Sequence, residues 1–338
     1  MLKKNKFLPT ILITYVLDRV KYLKRLSDYY QDYEGEVCFI GPKFDINFKV
    51  SDNISFFFTN EIDLFKKIIS TKNNFNSELV VWSAEDDFVS KRFLKNATLK
   101  LTNKNIVAVD GYALRFDEKT LKISQDYYDW HHLRNLFSYG NMNGLTFEER
   151  ISNMGDMFTG QPVHSVCRKD AFYEAWELAS NKSLNQIKWL DKVVTLSLLT
   201  KGEIAYIPTL AHLRSNGERL LTKKFHPNIF TKSFSDIHSS KLAIMTLAQY
   251  VSKKCNISED SGNLSVNFYL SNIDRYYRNQ QVKKKRRHNI LFKILKKIIL
   301  KNTLLKVFFD FGFFPTDYLS IQNEVKTILS FLDKSVQD

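Results

Sequence analysis

Glu85-Asp86-Asp87, three adjacent carboxylates, follow directly on the apolar run Glu78–Trp82 (ELVVW). Neighbouring acids repel one another, so a folded chain needs a reason to keep them together. An all-oxygen cluster suits Mg²⁺ or Mn²⁺, held by one or two carboxylates while substrate phosphates complete the shell. The same acids also fit a solvated loop, or a helix N-terminus, where the dipole favours negative charge. Spacing alone leaves these readings open. Arg214 suits either a phosphate or a nearby carboxylate. Trp130-His131-His132 fall in a polar, aromatic stretch, 127–160, that reads as loops over a site. There Trp130 and His131 could stack on a sugar, whereas two adjacent histidines usually point apart and make a poor metal pair. No Gly-x-Ser-x-Gly, P-loop or Gly-x-Gly-x-x-Gly occurs, which removes hydrolase elbows, Walker NTPases and the dinucleotide fingerprint. Cys167 has no evident base partner and reads as a small buried hydrophobe.

The elements that would position these residues alternate. Thr10–Thr14 is an apolar, β-branched run of strand length, and Tyr22, Leu23, Leu26, Tyr29 and Tyr30 recur at helical spacing behind it. Further strands are predicted at Glu36–Ile40, Ile54–Phe58, Glu78–Trp82, Ile106–Val109 and Glu203–Pro208. Helices are predicted at Glu61–Ile69, Phe88–Lys95, Lys169–Ala179 and Asn185–Lys201, the last closed by Gly202. This alternation predicts an α/β fold with a mostly parallel, doubly wound sheet. Ligands of such sheets bind outside the carboxyl ends of the strands, where the three acids would lie. After about residue 225 the strand signals stop, and helices are predicted over 235–253 and 266–280. The expected division is therefore a catalytic unit, 1–225, and a helical extension, 226–338.

Thr10–Thr14 with Asp18-Arg19 and Tyr22–Leu26, followed by Glu85-Asp86-Asp87-Phe88, resembles the bacterial GT-A glycosyltransferases. The similarity is greatest to a family-2-like subgroup of surface-polysaccharide enzymes whose acidic motif reads Asp-Asp-Asp-Phe. Val166–Asp170, Trp189-Leu190-Asp191 and Ile204–Pro208 resemble later family segments, so the likeness runs over about residues 10–216. It implies a Rossmann-like GT-A fold and a hexosyltransferase type of enzyme. Such an enzyme would move a sugar, with inversion, from a nucleoside diphosphate donor, a UDP-sugar foremost, to a capsule, O-antigen or lipooligosaccharide glycan. Asp87 is then the main ligand of Mn²⁺ or Mg²⁺, and His212, expected just after the last strand, a further one. Asp86, Thr14, Arg19 and Arg214 meet the donor. Asp191 is the general base, and Trp130, His131 and Trp189 line the acceptor site. The sequence departs from the family after the second strand, where Gly41-Pro42-Lys43 replaces the usual nucleobase-side acid. A nucleotidyltransferase of related fold is the rival reading, but Tyr15–Asp18 is not its Gly-rich phosphate loop. An inactive membrane-binding partner of a polysaccharide assembly complex is the other.

Composition bounds these expectations. Of 338 residues 44% are hydrophobic and 14% aromatic, enough for a large core and too many for a disordered chain. The three cysteines are far apart in sequence, which excludes a zinc ribbon or disulfide scaffold. Neither a signal-peptide pattern nor a spanning apolar run is visible, which predicts a cytoplasmic protein. The net charge is +14, yet ten Lys or Arg and no acid lie between Lys283 and Lys306, leaving +4 for everything else. Within 283–314, Ile and Leu recur opposite lysines at four-residue spacing, which is a basic amphipathic helix. It suits an anionic membrane, peripherally at the inner face of the cytoplasmic membrane, and a lipid-linked acceptor there. Its aromatics do not interleave with the charge, so nucleic acid is not the expected partner.

Overall fold

The computed structural model describes residues 7–118, 123, 142–154, 162–215, 241–286 and 318–335. Strand β1 (Thr10–Thr14) is buried at all five positions, as a strand covered on both faces must be. It pairs in parallel with β2 (Val37–Gly41) on one side and β4 (Leu79–Ala84) on the other, and β2 pairs with β3 (Ile54–Phe58). The remaining strands are β5 (Phe88–Val89), β6 (Ile106–Phe116), β7 (Val166–Arg168) and β8 (Glu203–Ser215), giving the order β3-β2-β1-β4-β7-β6-β8-β5. Only β5 and β7 run against the others. The fold is α/β and Rossmann-like.

Side chains alternate across β1 and β4, so the sheet feeds two cores. Leu12, Val80 and Trp82 face a layer made by α2 (Leu64–Ile69), α4 (Phe147–Met154), α5 (Lys169–Ala179), α6 (Ile187–Lys201), α7 (Lys241–Cys255) and α8 (Glu259–Arg286). Ile11, Ile13 and Val81 face α1 (Lys21–Tyr30), α3 (Lys91–Lys100) and α9 (Tyr318–Ser335). The downstream helices thus share the sheet's cores: Leu247, Val251 and Tyr269 belong to the first, Ile321, Val325 and Ile328 to the second. Phe331 meets Tyr29 edge-on at 5.4 Å, and Ser90 Oγ donates to Glu324 Oε1.

The structure redraws several predicted elements. The predicted helix Phe88–Lys95 divides into β5 and α3, because Phe88 and Val89 pair antiparallel with Leu213 and His212 while Ser90 caps α3 by accepting from Phe93 N at 3.0 Å. The predicted helix at Glu61 begins only at Leu64, where Asp63 Oδ1 accepts from Phe65 N at 2.8 Å. Part of the predicted loop stretch is the helix α4. Strands β6 and β8 continue well past Val109 and Pro208. Their register shifts between Asp110 and Tyr112, and a Cβ on Gly111 would lie 2.5 Å from the Thr209 carbonyl. The shift is what lets Pro208 stand within a strand. Trp130, His131 and the basic segment beyond Arg286 lie outside the described residues.

At this shift Asp110 is wholly buried. Its Oδ1 accepts from Gly111 N at 2.8 Å, Oδ2 has no partner among the described residues, and burial pushes its pKa up to about 7. An acid that keeps its proton in the fold after the unfolded chain has released it stabilises the fold at low pH. That contribution is lost as the pH rises from about 4 to about 7. Asp110→Asn should therefore flatten the decline in unfolding free energy between pH 5 and pH 8 in urea melts, by an amount on the order of 1–3 kcal/mol. Parallel profiles for the two proteins would show that Asp110 does not titrate across this range.

Candidate functional site

Strands β1 and β4 end level, with Thr14 opposite Ala84. From β1 the chain turns to β2 and β3 on one side, and β4 lies on the other. The crevice at their carboxyl ends is therefore the point where strand order reverses, the usual ligand position in an open α/β sheet. Glu85, Asp86 and Asp87 form the turn at that point, closed by Asp87 N donating to the Ala84 carbonyl at 3.2 Å and held by the pairing of β5 with β8. All three are less than 10% exposed.

Cations from separate elements compensate them. Arg19, in the 3₁₀ turn after β1, places Nε 3.0 Å from Glu85 Oε1 and bonds Asp86 Oδ2 through Nη2. Arg214 Nε donates to Asp87 Oδ2 at 3.1 Å, and Ser215 N donates to Asp87 Oδ1 at 3.0 Å. Lys67 on α2 is buried beside Glu85; burial pulls its pKa down, and the charges of Glu85 and Glu61 oppose that. Burial and the adjacent Asp87 push Asp86 up to about 7 despite Arg19, and burial raises Glu85 as well. Burial disfavours the Arg19 charge, but Asp86 and Glu85 outweigh it and raise its pKa.

Arg19, Asp86, Asp87 and Arg214 are thus brought into one network. Thr14 lies at the same strand end, where its Oγ1 accepts from Trp82 Nε1 at 3.1 Å. His212 is not in a loop after the last strand but inside β8, opposite Val89. Its Nε2 lies 2.8 Å from the His164 carbonyl, and burial pulls its pKa down to about 4, so the ring is neutral and already engaged. Trp189 is 1% exposed and packs in the core beneath α6, leaving no open ring face for an acceptor sugar. Asp191, in the second turn of α6, is held by Lys192 Nζ at 2.6 Å and by the Lys192 N–H at 3.0 Å. It is not bonded to the acidic turn. His164 stacks on Trp82 at 4.7 Å, in the Pro162–His164 turn that packs against both α6 and β4.

Arg25, Glu118, Ser215 and Lys67 belong to the site without having been predicted. Arg25 does leave a trace in the sequence: it falls three residues from Tyr22 and four from Tyr29, on the helix face that buries both. Among the described residues no group of three or more His, Cys, Asp or Glu forms a ready-made cation cage.

No family model matches the chain, and no curated protein matches it. Among solved structures it is similar to the crystal structure of S. aureus TarS 1–349, with a TM-score of 0.46 and 11% identity over 97% of this chain and 91% of that one. It is also similar to the crystal structure of S. aureus TarS, with a TM-score of 0.42 and 11% identity over 96% of this chain and 52% of that one. At this distance the activity must be read from the residues of the chain itself.

Removing the Arg19 charge would leave Glu85 and Asp86 buried without it. Arg19→Met should cost about 3–5 kcal/mol of unfolding free energy at pH 7.5 in urea melts. The loss should shrink at pH 5, where the two carboxyls, already raised, take up protons. A pH-independent loss would point to packing rather than charge.

Proposed function

We propose that the chain is a glycosyltransferase of the hexosyltransferase type, which moves a sugar from a nucleoside diphosphate donor to a bacterial surface glycan. The observation that carries this is the acidic turn at the strand-order reversal, with Arg19 and Arg214 lying directly against its carboxylates. A divalent cation fits there by donor chemistry. Asp86 and Asp87 are oxygen donors, and burial together with the charge of Asp87 drives Asp86 toward its protonated form, a cost that a cation relieves. Held by Asp87 and Asp86, Mn²⁺ or Mg²⁺ would neutralise charge on the diphosphate. Arg19 and Arg214, released from the carboxylates, are placed to take phosphate oxygens, and Lys67 adds a further cation beside Glu85.

In the transfer, the acceptor oxygen forms a bond to the sugar's anomeric carbon as the bond to the diphosphate breaks, and the leaving diphosphate takes the bonding electrons. The acceptor's proton goes to the carboxylate of Asp191, on the helix against which the Pro162–His164 turn packs. Inversion follows if acceptor and diphosphate stand on opposite faces of the sugar. A lipid-linked acceptor at the inner face of the cytoplasmic membrane suits the basic segment 283–314, with anionic lipid as its partner. Among the described residues no helix is long and apolar enough to cross a membrane.

Thermal melts against UDP-, GDP-, CMP- and TDP-linked ligands, with Mn²⁺ and with EDTA, test the reading. One nucleotide class at 100 times its Kd should add about 2.7 kcal/mol, seen as a rise in Tm that requires the metal and disappears in Asp87→Ala. A rise that survives EDTA would remove the metal and leave the arginines as the diphosphate's cations. No rise with any ligand would overturn the transferase reading.

A further inference from the structure

We propose that Arg25 and Glu118 are positioning residues that set the orientation of the Asp87 carboxylate. This rests on the transferase reading only for what Asp87 holds. Arg25 is 7% exposed, and its guanidinium lies over the Tyr22 ring at 4.3 Å and the Phe88 ring at 5.5 Å. Its Nη2 donates both to the Asp86 main-chain carbonyl at 3.2 Å and to Glu118 Oε1 at 3.0 Å. The same Glu118 oxygen accepts from Ser215 Oγ at 2.8 Å, and the Ser215 N–H holds Asp87 Oδ1. A closed circuit therefore runs from the backbone of the acidic turn through α1 and the segment after β6 to the end of β8, and back to the Asp87 side chain.

Arg25 meets the charge of Glu118 and not that of the acidic turn, because Arg19 contacts the Asp86 carboxylate while Arg25 touches only that residue's carbonyl. What Arg25 fixes is where the turn stands relative to Ser215. A planar guanidinium lying against both rings is not matched by a flexible ammonium, which has no flat face to stack. Outer-shell contacts of this kind commonly govern metal affinity as strongly as the ligands do.

The full-length chain and its Arg25→Lys and Glu118→Gln variants should be compared by amide hydrogen exchange, Tm, and calorimetric titration with Mn²⁺ and UDP. Exchange at the Ser215 amide should rise at least about tenfold in either variant, while amides inside β1 and β4 stay within about twofold. Affinity for Mn²⁺ with UDP should fall about 10- to 100-fold. The double variant should be little worse than either single one, since both break one circuit. Unchanged exchange at Ser215, a rise matched inside β1 and β4, or unchanged affinity would each overturn the proposal. If the unmodified chain bound neither Mn²⁺ nor UDP while Ser215 exchange still responded selectively, the positioning role would stand and the transferase reading would fall.

Discussion

Three carboxylates in a row at the end of a strand buried on both faces determine what must surround them. Water is largely excluded from Glu85, Asp86 and Asp87, so the charge they carry has to be met by the protein or suppressed by protonation. The fold does both. Arg19 arrives from the turn after β1 and Arg214 from the far end of β8, while burial and mutual repulsion drive Asp86 part of the way toward its neutral form. Much of the topology on this side serves that requirement. Strand β8 has to run past its register shift to deliver Arg214 and Ser215, and β5 has to pair with it so that the acidic turn is anchored on both sides.

Beneath the turn the chemistry is deliberately uncharged. Trp82, His164 and His212 form an aromatic contact between the acidic residues and the helix that carries Asp191, with the two histidine rings 5.6 Å apart. Burial and the nearby Arg214 lower both histidine pKa values, so they remain neutral. A charged histidine there would add a further cation next to Arg214. A neutral one leaves Arg214 to its carboxylate partner, Asp87.

The acidic turn was legible because an apolar run ended abruptly in acids, and that boundary is a local property of residues 78–87. Arg19 was legible through resemblance to known sequences, and Arg214 as a cation suited to a phosphate or a nearby carboxylate. Residues whose placement depends on distant partners were not. The two-residue strand β5 is too short for any periodicity, and only its pairing with β8 makes it a strand. Glu118 finds Arg25 ninety-three positions away, and neither residue's neighbours announce the other. Trp189 and His212 misled for a related reason. Aromatic and imidazole side chains next to functional residues look like functional residues, and only burial distinguishes a core ring from a binding one.

The docking of α9 has a consequence for how the chain is made. Leu26, Tyr29 and Phe88 share a core with Ile321, Val325 and Ile328, so α1 is covered by a helix that is made much later in the chain. Until residues 318–335 emerge, the outer side of α1 presents an aromatic and aliphatic surface with no native cover. The nascent chain therefore carries this patch from the emergence of α1 until that of α9.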